Sequence, residues 1–303
     1  MFDMFNNDES TSDESSYSSE SNYSSDSRGD IFVISIGGSL LVKAKPDTEL
    51  LRQLSQKISS FHASGKKIVL VIGGGKIARN YVECLDSFEV NNFQKDLMGI
   101  AITRANALMV ANVIPECHKE VLSEVNQAKV ILDAGKIPVF GGLMPFFTTD
   151  AVAALIAEAL NATFVNLTNV DGIYAADPRD YPDARRFDEI NYSDLISLII
   201  SCGSKPGQNV VLDFACCMIL QRSNLLGVVL DGTDVENFSN YLEGNSFTGT
   251  VIKDTAVSID DAEIEEVMDK PKRKRKTLKK KSSKKRKSSS KEFDESDVDN
   301  LEL

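Results

Sequence analysis

The chain has 303 residues, a formal net charge of −11 and no tryptophan. Its charge is uneven: residues 1–29 are acidic and serine-rich, whereas Lys270 to Lys291 is densely basic. Segments so poor in apolar residues cannot bury enough surface to offset their ordering entropy. We therefore expect one α/β domain at 30–254 between disordered tails at 1–29 and 255–303. No apolar run approaches the ~18 residues of a membrane helix, and the acidic start differs from a secretion signal.

Buried strands and helical patterns alternate through the central part of the chain. The order from the N-terminus is strand 31–36, helix from Asp47 to about Ala63, strand 67–72, helices 76–88, 94–113 and 117–127, strand 137–140, helix 151–160, strand 163–167, helices 192–201 and 211–222, strand 227–230, a short helix 236–242 and strand 249–252. Strands that are apolar throughout and alternate with helices indicate a mainly parallel sheet covered on both faces.

Glycine-rich turns follow two of these strands. The first is Gly37-Gly38-Ser39 and the second is Gly73-Gly74-Gly75-Lys76. Ligand sites of such sheets lie beyond the carboxyl ends of the strands, and glycines let backbone N–H groups approach a phosphate. Arg79, on the helix after the second turn, can return toward an anion held there. The Gly-x-x-x-x-Gly-Lys-Ser/Thr motif is absent, which excludes an ordinary P-loop.

A third phosphate-binding turn is predicted where Thr148-Thr149-Asp150 opens the alanine-rich helix 151–160. Thr149 or Asp150 can cap this helix, and its free N–H groups would attract an anion. Three such turns in one α/β chain suggest an enzyme that handles more than one phosphate group.

The segment 169–178 contains Asp-Gly and Asp-Pro pairs, which mark turns. Tyr174 could lie against a base, and Asp177 could accept a hydrogen bond from a sugar hydroxyl. Composition alone favours an ordinary loop.

The five cysteines contain no C-x-x-C pair, so we interpret them as buried, reduced thiols, which suits a reducing compartment. Cys216 and Cys217 lie on a stretch that looks helical. His62 and His118 lie in polar stretches that we predict to be helical and non-catalytic.

These segments resemble the amino acid kinase family, and within it the UMP-phosphorylating branch. The resemblance covers about 31–252. The motifs Ile36–Leu40, Gly73–Arg79 and Ile102–Ala107 are similar to archaeal members, and Pro145–Asp150 to bacterial ones. The block Thr168–Tyr174 with Asp177-Pro178, and the closing Gly249–Ile252, fit both. The resemblance implies a three-layer αβα sandwich that phosphorylates UMP to UDP with ATP in pyrimidine nucleotide biosynthesis, with Mg²⁺ bound to the ATP. It also implies a homo-hexamer built of dimers.

The same resemblance assigns roles to individual residues. Arg79 and Ser39 would be catalytic. The ATP site would use Gly38, Ser39, Gly75, Arg79, Thr168, Asn169, Tyr174 and Asp177. The UMP site would use Gly74, Asp96, Gly142, Leu143, Met144, Pro145, Phe146, Phe147, Thr148 and Thr149, with Asp96 on the ribose and the two threonines near the phosphate. No protein-held metal is expected.

Two departures from the family concern positive charge. Bacterial members have a lysine in the first strand–turn motif, where this chain has Ser35-Ile36-Gly37. Archaeal members often have a lysine on the helix after the Asp213 motif, and here that helix has none. The cations that could neutralise the transferred phosphoryl group are Lys76, Lys205 and Arg79.

Two other functions stay open on the sequence. Isopentenyl phosphate kinase shares the fold but has a histidine in the helix after the glycine turn, where this chain has Ile77, Ala78 and Arg79. A non-catalytic nucleotide-binding or storage protein would fit the missing lysine, although the intact pockets oppose it. For location we expect the cytoplasm. The basic cluster 270–291 would also suit nuclear import through an import receptor, or weak, sequence-independent binding of nucleic acid.

Overall fold

The computed structural model describes residues 31–202 and 211–254. Its elements in chain order are β1 Ile31–Ile36, α1 Gly38–Leu41, α2 Thr48–Ala63, β2 Lys67–Ile72, α3 Gly75–Asp86, α4 Asn92–Val113, α5 Gln127–Asp133, β3 Val139–Phe140, α6 Thr149–Leu160, β4 Thr163–Thr168, β5 Ile173–Tyr174, β6 Arg186–Phe187, β7 Glu189–Ile190, α7 Tyr192–Cys202, α8 Phe214–Arg222, β8 Gly227–Asp231, α9 Val235–Glu243 and β9 Thr250–Ile252.

Seven of the strands form one twisted sheet in the order β3-β2-β1-β4-β8-β9-β7. The five neighbouring strands β3, β2, β1, β4 and β8 are all parallel to one another. Strand β9 is antiparallel to β8, and β7 is parallel to β9. This confirms the predicted mainly parallel sheet. Because the parallel strands share one direction, the turns that follow β1, β2, β3, β4 and β8 meet at one edge.

Helices cover both faces of the sheet, which confirms the predicted three-layer sandwich. On β1, Val33 faces a core shared with α5, α6, α7 and α8. Its neighbours Phe32 and Ile34 face a second core, shared with α2, α4 and α9. Apolar side chains on both faces of one strand produce the continuous apolar run seen in the sequence.

Most predicted helices and strands are confirmed within a few residues. Asp47 caps α2 by accepting from the backbone N–H of Leu50 at 3.2 Å. Of the predicted strand 137–140, only Val139 and Phe140 form the strand β3.

The predicted helix 117–127 is wrong. The N–H groups of His118 and Leu122 donate at 2.9 Å to the carbonyls of Ile137 and Val139. The segment is therefore extended along β3. His118, which was predicted to be helical, does not lie in a helix. The helix comes later, as α5.

Three further corrections concern short elements and exposure. The helix predicted at 211–222 begins at Phe214, because Asp213 is its N-cap. The hairpin of β5 and β6, the strand β7 and the four-residue helix α1 were not predicted. Of the described cysteines, all free, Cys117, Cys216 and Cys217 are buried, whereas Cys84 is exposed rather than buried.

Both predicted tails, 1–29 and 255–303, lie outside the described residues, as does Lys205. Among the residues described, no helix has the length and apolar character needed to cross a membrane.

Candidate active site

Glycine turns meet at the carboxyl edge of the sheet. The N–H of Gly73 donates to the carbonyl of Ile36 at 3.0 Å, so the turns after β1 and β2 pack backbone against backbone. A Cβ on Gly38 would lie 2.3 Å from both the Gly73 oxygen and the Gly75 nitrogen, so no side chain fits. Gly75 also has a φ of 66°, which other residues rarely adopt. The two turns predicted from the sequence therefore form one backbone surface.

A cavity of about 290 Å³ opens beside the second turn, between α3, α4 and the segment that leads into α6. It gathers most of the residues predicted for UMP and two predicted for the ATP phosphates: Gly74, Gly75, Arg79, Asp96, Gly142, Met144, Phe146, Phe147, Thr148 and Thr149. Leu143 and Pro145 are not among its lining residues, and Leu143 packs against the core instead.

Asp96 and Phe146, which both line this cavity, are joined by a hydrogen bond. Its Oδ2 accepts from the backbone N–H of Phe146 at 2.8 Å. Phe146 has a φ of 75° and is 82% exposed, and its ring packs edge-on against Phe147 at 5.8 Å. An exposed aromatic residue in the left-handed region needs such an anchor. Asn91, not Asp96, caps α4, so Asp96 is not the helix cap.

Two cationic side chains line the cavity. Arg79 is exposed and makes no hydrogen bond or ion pair with the described residues, so its guanidinium is available to a ligand. Lys95 is only 17% exposed and pairs with Asp86 at 2.6 Å. Lys95 was not predicted from the sequence, because a lysine near the start of a long helix such as α4 has no local signal of a ligand site. Lys76 is exposed on the first turn of α3.

The N-cap residues of α6 and α8 are joined at the end of the cavity. Thr148 caps α6 by accepting from Ala151 N–H at 3.2 Å, so the predicted cap, Thr149 or Asp150, is corrected. The hydroxyl of Thr148 also donates to Asp213. Asp213 in turn caps α8 by accepting from Cys216 N–H at 3.0 Å. Two helix N-termini therefore lie next to each other at this point.

Asp150 lies directly behind these caps. Ser35, fully buried on β1, donates to its Oδ1 at 2.6 Å. The pKa of the Asp150 carboxyl is raised to about 6, mainly because the group is buried; the hydrogen bond from Ser35 opposes this rise and the nearby Asp213 adds to it. No lysine or arginine in the described part of the chain bonds to Asp150 or Asp213, in keeping with the absent family lysines.

The residues predicted for adenosine lie apart from the cavity, around the end of β4 and the β5–β6 hairpin. Thr168 ends β4, and Asn169 is exposed. The hydroxyl of Tyr174 donates to Asp171 at 2.8 Å. Both carboxylate oxygens of Asp177 accept from Arg179 at 2.9 Å. These side chains thus bond to their own loop.

Several groups around the cavity suit a negatively charged ligand. In residues 31–202 and 211–254, no group of three or more His, Cys, Asp or Glu side chains could hold a metal ion. Backbone N–H groups, helix N-termini and two cations instead surround one cavity, an arrangement suited to phosphate groups.

A parallel sheet with glycine turns, paired helix N-termini and a cavity at its carboxyl edge defines an α/β protein that binds phosphate-bearing small molecules. The sequence pattern of the amino acid kinase family matches residues 30–231. The chain belongs to the amino acid kinase family.

Named relatives agree with this assignment. Uridylate kinase of Pyrococcus abyssi is 37% identical over 221 residues, a match that covers 72% of this chain and 98% of that protein. Uridylate kinase of Thermoplasma volcanium is 36% identical over 225 residues and is covered to 98%. The crystal structure of uridylate kinase from Archaeoglobus fulgidus superposes with a TM-score of 0.65 at 36% identity, covering 73% of this chain and 99% of that one. UMP kinase of Bacillus anthracis, at 23% identity and a TM-score of 0.65 over 75% of this chain and 97% of its own, shares the fold.

Proposed function

We propose that this protein is a nucleoside monophosphate kinase that transfers the γ-phosphoryl group of ATP to UMP, giving UDP and ADP. The observation that carries the proposal is the cavity in which Gly74, Arg79, Asp96 and Thr149 converge. It combines an acid suited to ribose hydroxyls with donors suited to a phosphate. The relatives with which the chain aligns over almost their whole length are named uridylate kinases.

For the acceptor, Asp96 has one carboxylate oxygen bound to Phe146 N–H, and its other oxygen accepts no hydrogen bond from the described residues. That free oxygen would accept from a ribose hydroxyl. Thr148 and Thr149, at the N-terminus of the twelve-residue α6, would hold the UMP phosphate. Gly142, Met144, Phe146 and Phe147 would line the rest of the nucleotide, with Leu143 and Pro145 as supporting backbone.

For the donor, Gly38, Ser39, Gly75 and Arg79 would bind the ATP phosphates along the joined glycine turns. Thr168, Asn169, Tyr174 and Asp177 would contact adenosine. Tyr174 and Asp177 already have partners within their loop, so ATP binding would require them to exchange or share these hydrogen bonds.

Transfer needs alignment and cancellation of charge more than covalent help. The UMP phosphate is ionised near neutral pH and needs no general base. Arg79, the exposed Lys76 and the free N–H groups of the glycine turns would stabilise charge on the moving phosphoryl group. Mg²⁺ would enter as part of the substrate MgATP, held mainly by phosphate oxygens and water.

A homo-oligomer forms part of the proposal. The helices α3 and α4 pack against each other, and together with the turn between them they expose large apolar side chains at Tyr81, Phe88, Phe93, Leu97, Leu108 and Val113. Exposed apolar side chains concentrated on one helix pair favour burial against a second copy. Light scattering of the purified protein checks the assembly.

Release of ADP, measured with UMP, with isopentenyl phosphate and without an acceptor, tests the proposed activity. UMP-dependent release is expected. Release with isopentenyl phosphate but not with UMP would favour the other kinase. Tight nucleotide binding without any turnover would favour a storage protein.

A further inference from the structure

The motif Ile102–Ala107 belongs to α4, and the proposed mechanism gives it no chemical role. Two of its polar side chains, Thr103 and Asn106, are each only 8% exposed. They lie one helical turn apart on the side of α4 that faces the glycine turns. A buried polar side chain of a helix usually serves a specific hydrogen bond.

Asn106 is bonded to the glycine turn itself. Its Nδ2 donates to the carbonyl of Gly73 at 2.9 Å and to the carbonyl of Gly74 at 3.3 Å. These carbonyls belong to consecutive peptide groups, so one amide holds both. The contact joins residues 33 positions apart, and only the tertiary fold brings them together.

The contact fixes the direction of two backbone donors. In a trans peptide the C=O and N–H groups point to opposite sides. Asn106 holds the carbonyl of Gly73 toward α4 and shares the carbonyl of Gly74 with the N–H of Ala78, which donates to it at 3.4 Å, so the N–H groups of Gly74 and Gly75 point to the opposite side of their peptide groups. Within the described part of the chain, no hydrogen bond uses either N–H group. Both glycines line the cavity.

Thr103 makes the matching contact on the turn after β3. Its Oγ1 accepts from Gly142 N–H at 2.7 Å and donates to the Ile100 carbonyl at 2.7 Å. The fit is close, since a Cβ on Gly141 would lie 2.8 Å from the Arg104 nitrogen. The helix α4 therefore sets the spacing between two turns of the site.

We propose that Asn106 is a positioning residue for phosphoryl transfer: it orients the N–H groups of Gly74 and Gly75 toward the phosphates, while Thr103 holds the opposing turn. The inference rests on the proposed function. Preorganised N–H donors stabilise charge that develops on a transferred group, and small displacements of such donors are costly. Asn106 is not among the residues that line the cavity, so it would act only through the turn.

The first test is Asn106→Ala, which removes both hydrogen bonds and adds no charge. We expect kcat for UMP phosphorylation to fall about a hundredfold, with a much smaller rise in KM for UMP, because Gly74 is one of many groups that line the UMP cavity. A merely structural residue would lower the melting temperature without this division between kcat and KM. A folded variant with wild-type kcat overturns the proposal.

The second test is Asn106→Asp, which has the same shape but faces two carbonyls with a carboxylate. When protonated, this carboxyl can donate to one carbonyl, so activity relative to wild type should recover as pH falls from 8 to 6. The matched control is Asn112→Asp, because exposed Asn112 on the same helix donates to the Leu108 carbonyl at 2.8 Å. We expect the control to keep wild-type activity at every pH. The proposal is contradicted if the activity of Asn106→Asp relative to wild type is the same at pH 8 and pH 6.

Calorimetric titration with ATP separates this proposal from the proposed reaction. Asn106→Ala should weaken ATP binding about tenfold whatever the acceptor, because the turn binds phosphate before any transfer. If wild type binds ATP but does not phosphorylate UMP, the reaction is wrong and the weaker binding still supports Asn106. Equal ATP affinity in the folded variant, or no ATP binding by wild type, overturns the role of Asn106.

Discussion

The two halves of the proposed site differ in how their polar groups are used. Around the acceptor cavity, one oxygen of Asp96 has no partner in the described chain, and neither has Arg79, which lines the cavity and would contact the ATP phosphates; Thr148, by contrast, is bonded to Asp213. Around the donor loop, Asp177 and Tyr174 are already bonded to neighbours of the same loop. A ligand gains a full hydrogen bond from a free group but only exchanges one at an occupied group. We therefore expect the acceptor half to be preformed and the donor half to rearrange.

The largest expected effect comes from removing the free cation. Arg79→Ala should lower kcat/KM for UMP phosphorylation about a hundredfold, which is about 3 kcal/mol of transition-state stabilisation. The melting temperature should hardly change, because the side chain is exposed. Arg52→Ala, at an exposed ion pair with Glu49 on α2, is the control and should keep wild-type turnover. Near wild-type turnover of a folded Arg79→Ala protein would reject the role.

The second effect concerns the buried carboxyl behind the acceptor half. The pKa of Asp150 is raised in the fold from an ordinary 3.8 to about 6, so the fold loses stability as pH rises between these two values, and the full loss is present above about pH 6. Asp150→Asn should therefore stabilise the protein at pH 7.5 by about 2–3 kcal/mol and change it little near pH 4. Urea unfolding at both pH values checks this. Equal effects at the two pH values would mean that Asp150 is ionised in the fold as it is in the unfolded chain.

Asp96→Asn tests whether the acceptor half holds the ribose. The amide oxygen of the asparagine can still accept from Phe146 N–H, whereas an amide NH₂ group replaces the free carboxylate oxygen. We expect KM for UMP to rise about tenfold and KM for ATP to stay within about twofold. Asp133→Asn, at an exposed ion pair with Lys129, serves as the control. Equal increases for both substrates would indicate a structural role.

Tyr174→Phe tests the donor half. The variant loses the hydrogen bond to Asp171, a change of about 1 kcal/mol. Because this bond lies within the loop that would contact adenosine, we expect KM for ATP to rise about fivefold while KM for UMP stays constant. A larger effect on UMP than on ATP would reverse the comparison between the two halves.

The smallest expected effect is that of removing the basic tail. Truncation after Lys253 should leave kinase activity unchanged, because the proposed domain ends near this residue. Binding of RNA, expected to be weak and to fall steeply with salt because counterions are released, should disappear. RNA binding that survives truncation would exclude the tail as the binding element. Loss of kinase activity would place the domain boundary later in the chain.

The bounds of a strand could be predicted from the sequence where the strand's own residues determine them. The strands β1 and β2 are apolar runs that end at glycines, and both were predicted with their observed bounds. Prediction fails where the partner is distant in the chain. Segment 117–127 donates hydrogen bonds to the segment that contains β3, and nothing in the sequence of either segment indicates this pairing. The strands β5 and β6 are two residues long, too short for a periodic pattern.

The same division applies to the site. The glycine turns and Thr148–Thr149 have local signals, because turn geometry and helix capping are properties of adjacent residues. Lys95 has none, and Asn106 is marked only as part of the motif Ile102–Ala107, since each lies within α4 and acquires its role from residues that only folding brings near. The hydrogen bond from Ser35 to Asp150 spans 115 positions and was likewise not predictable.

Calorimetric titration of UMP into the wild-type protein without ATP tests the central claim most directly. A preformed acceptor cavity should bind UMP on its own, and Asp96→Asn should weaken this binding about tenfold. ATP binding should be unaffected by the same substitution. Absence of UMP binding without ATP, or equal affinity in wild type and Asp96→Asn, would contradict the assignment of this cavity to the acceptor.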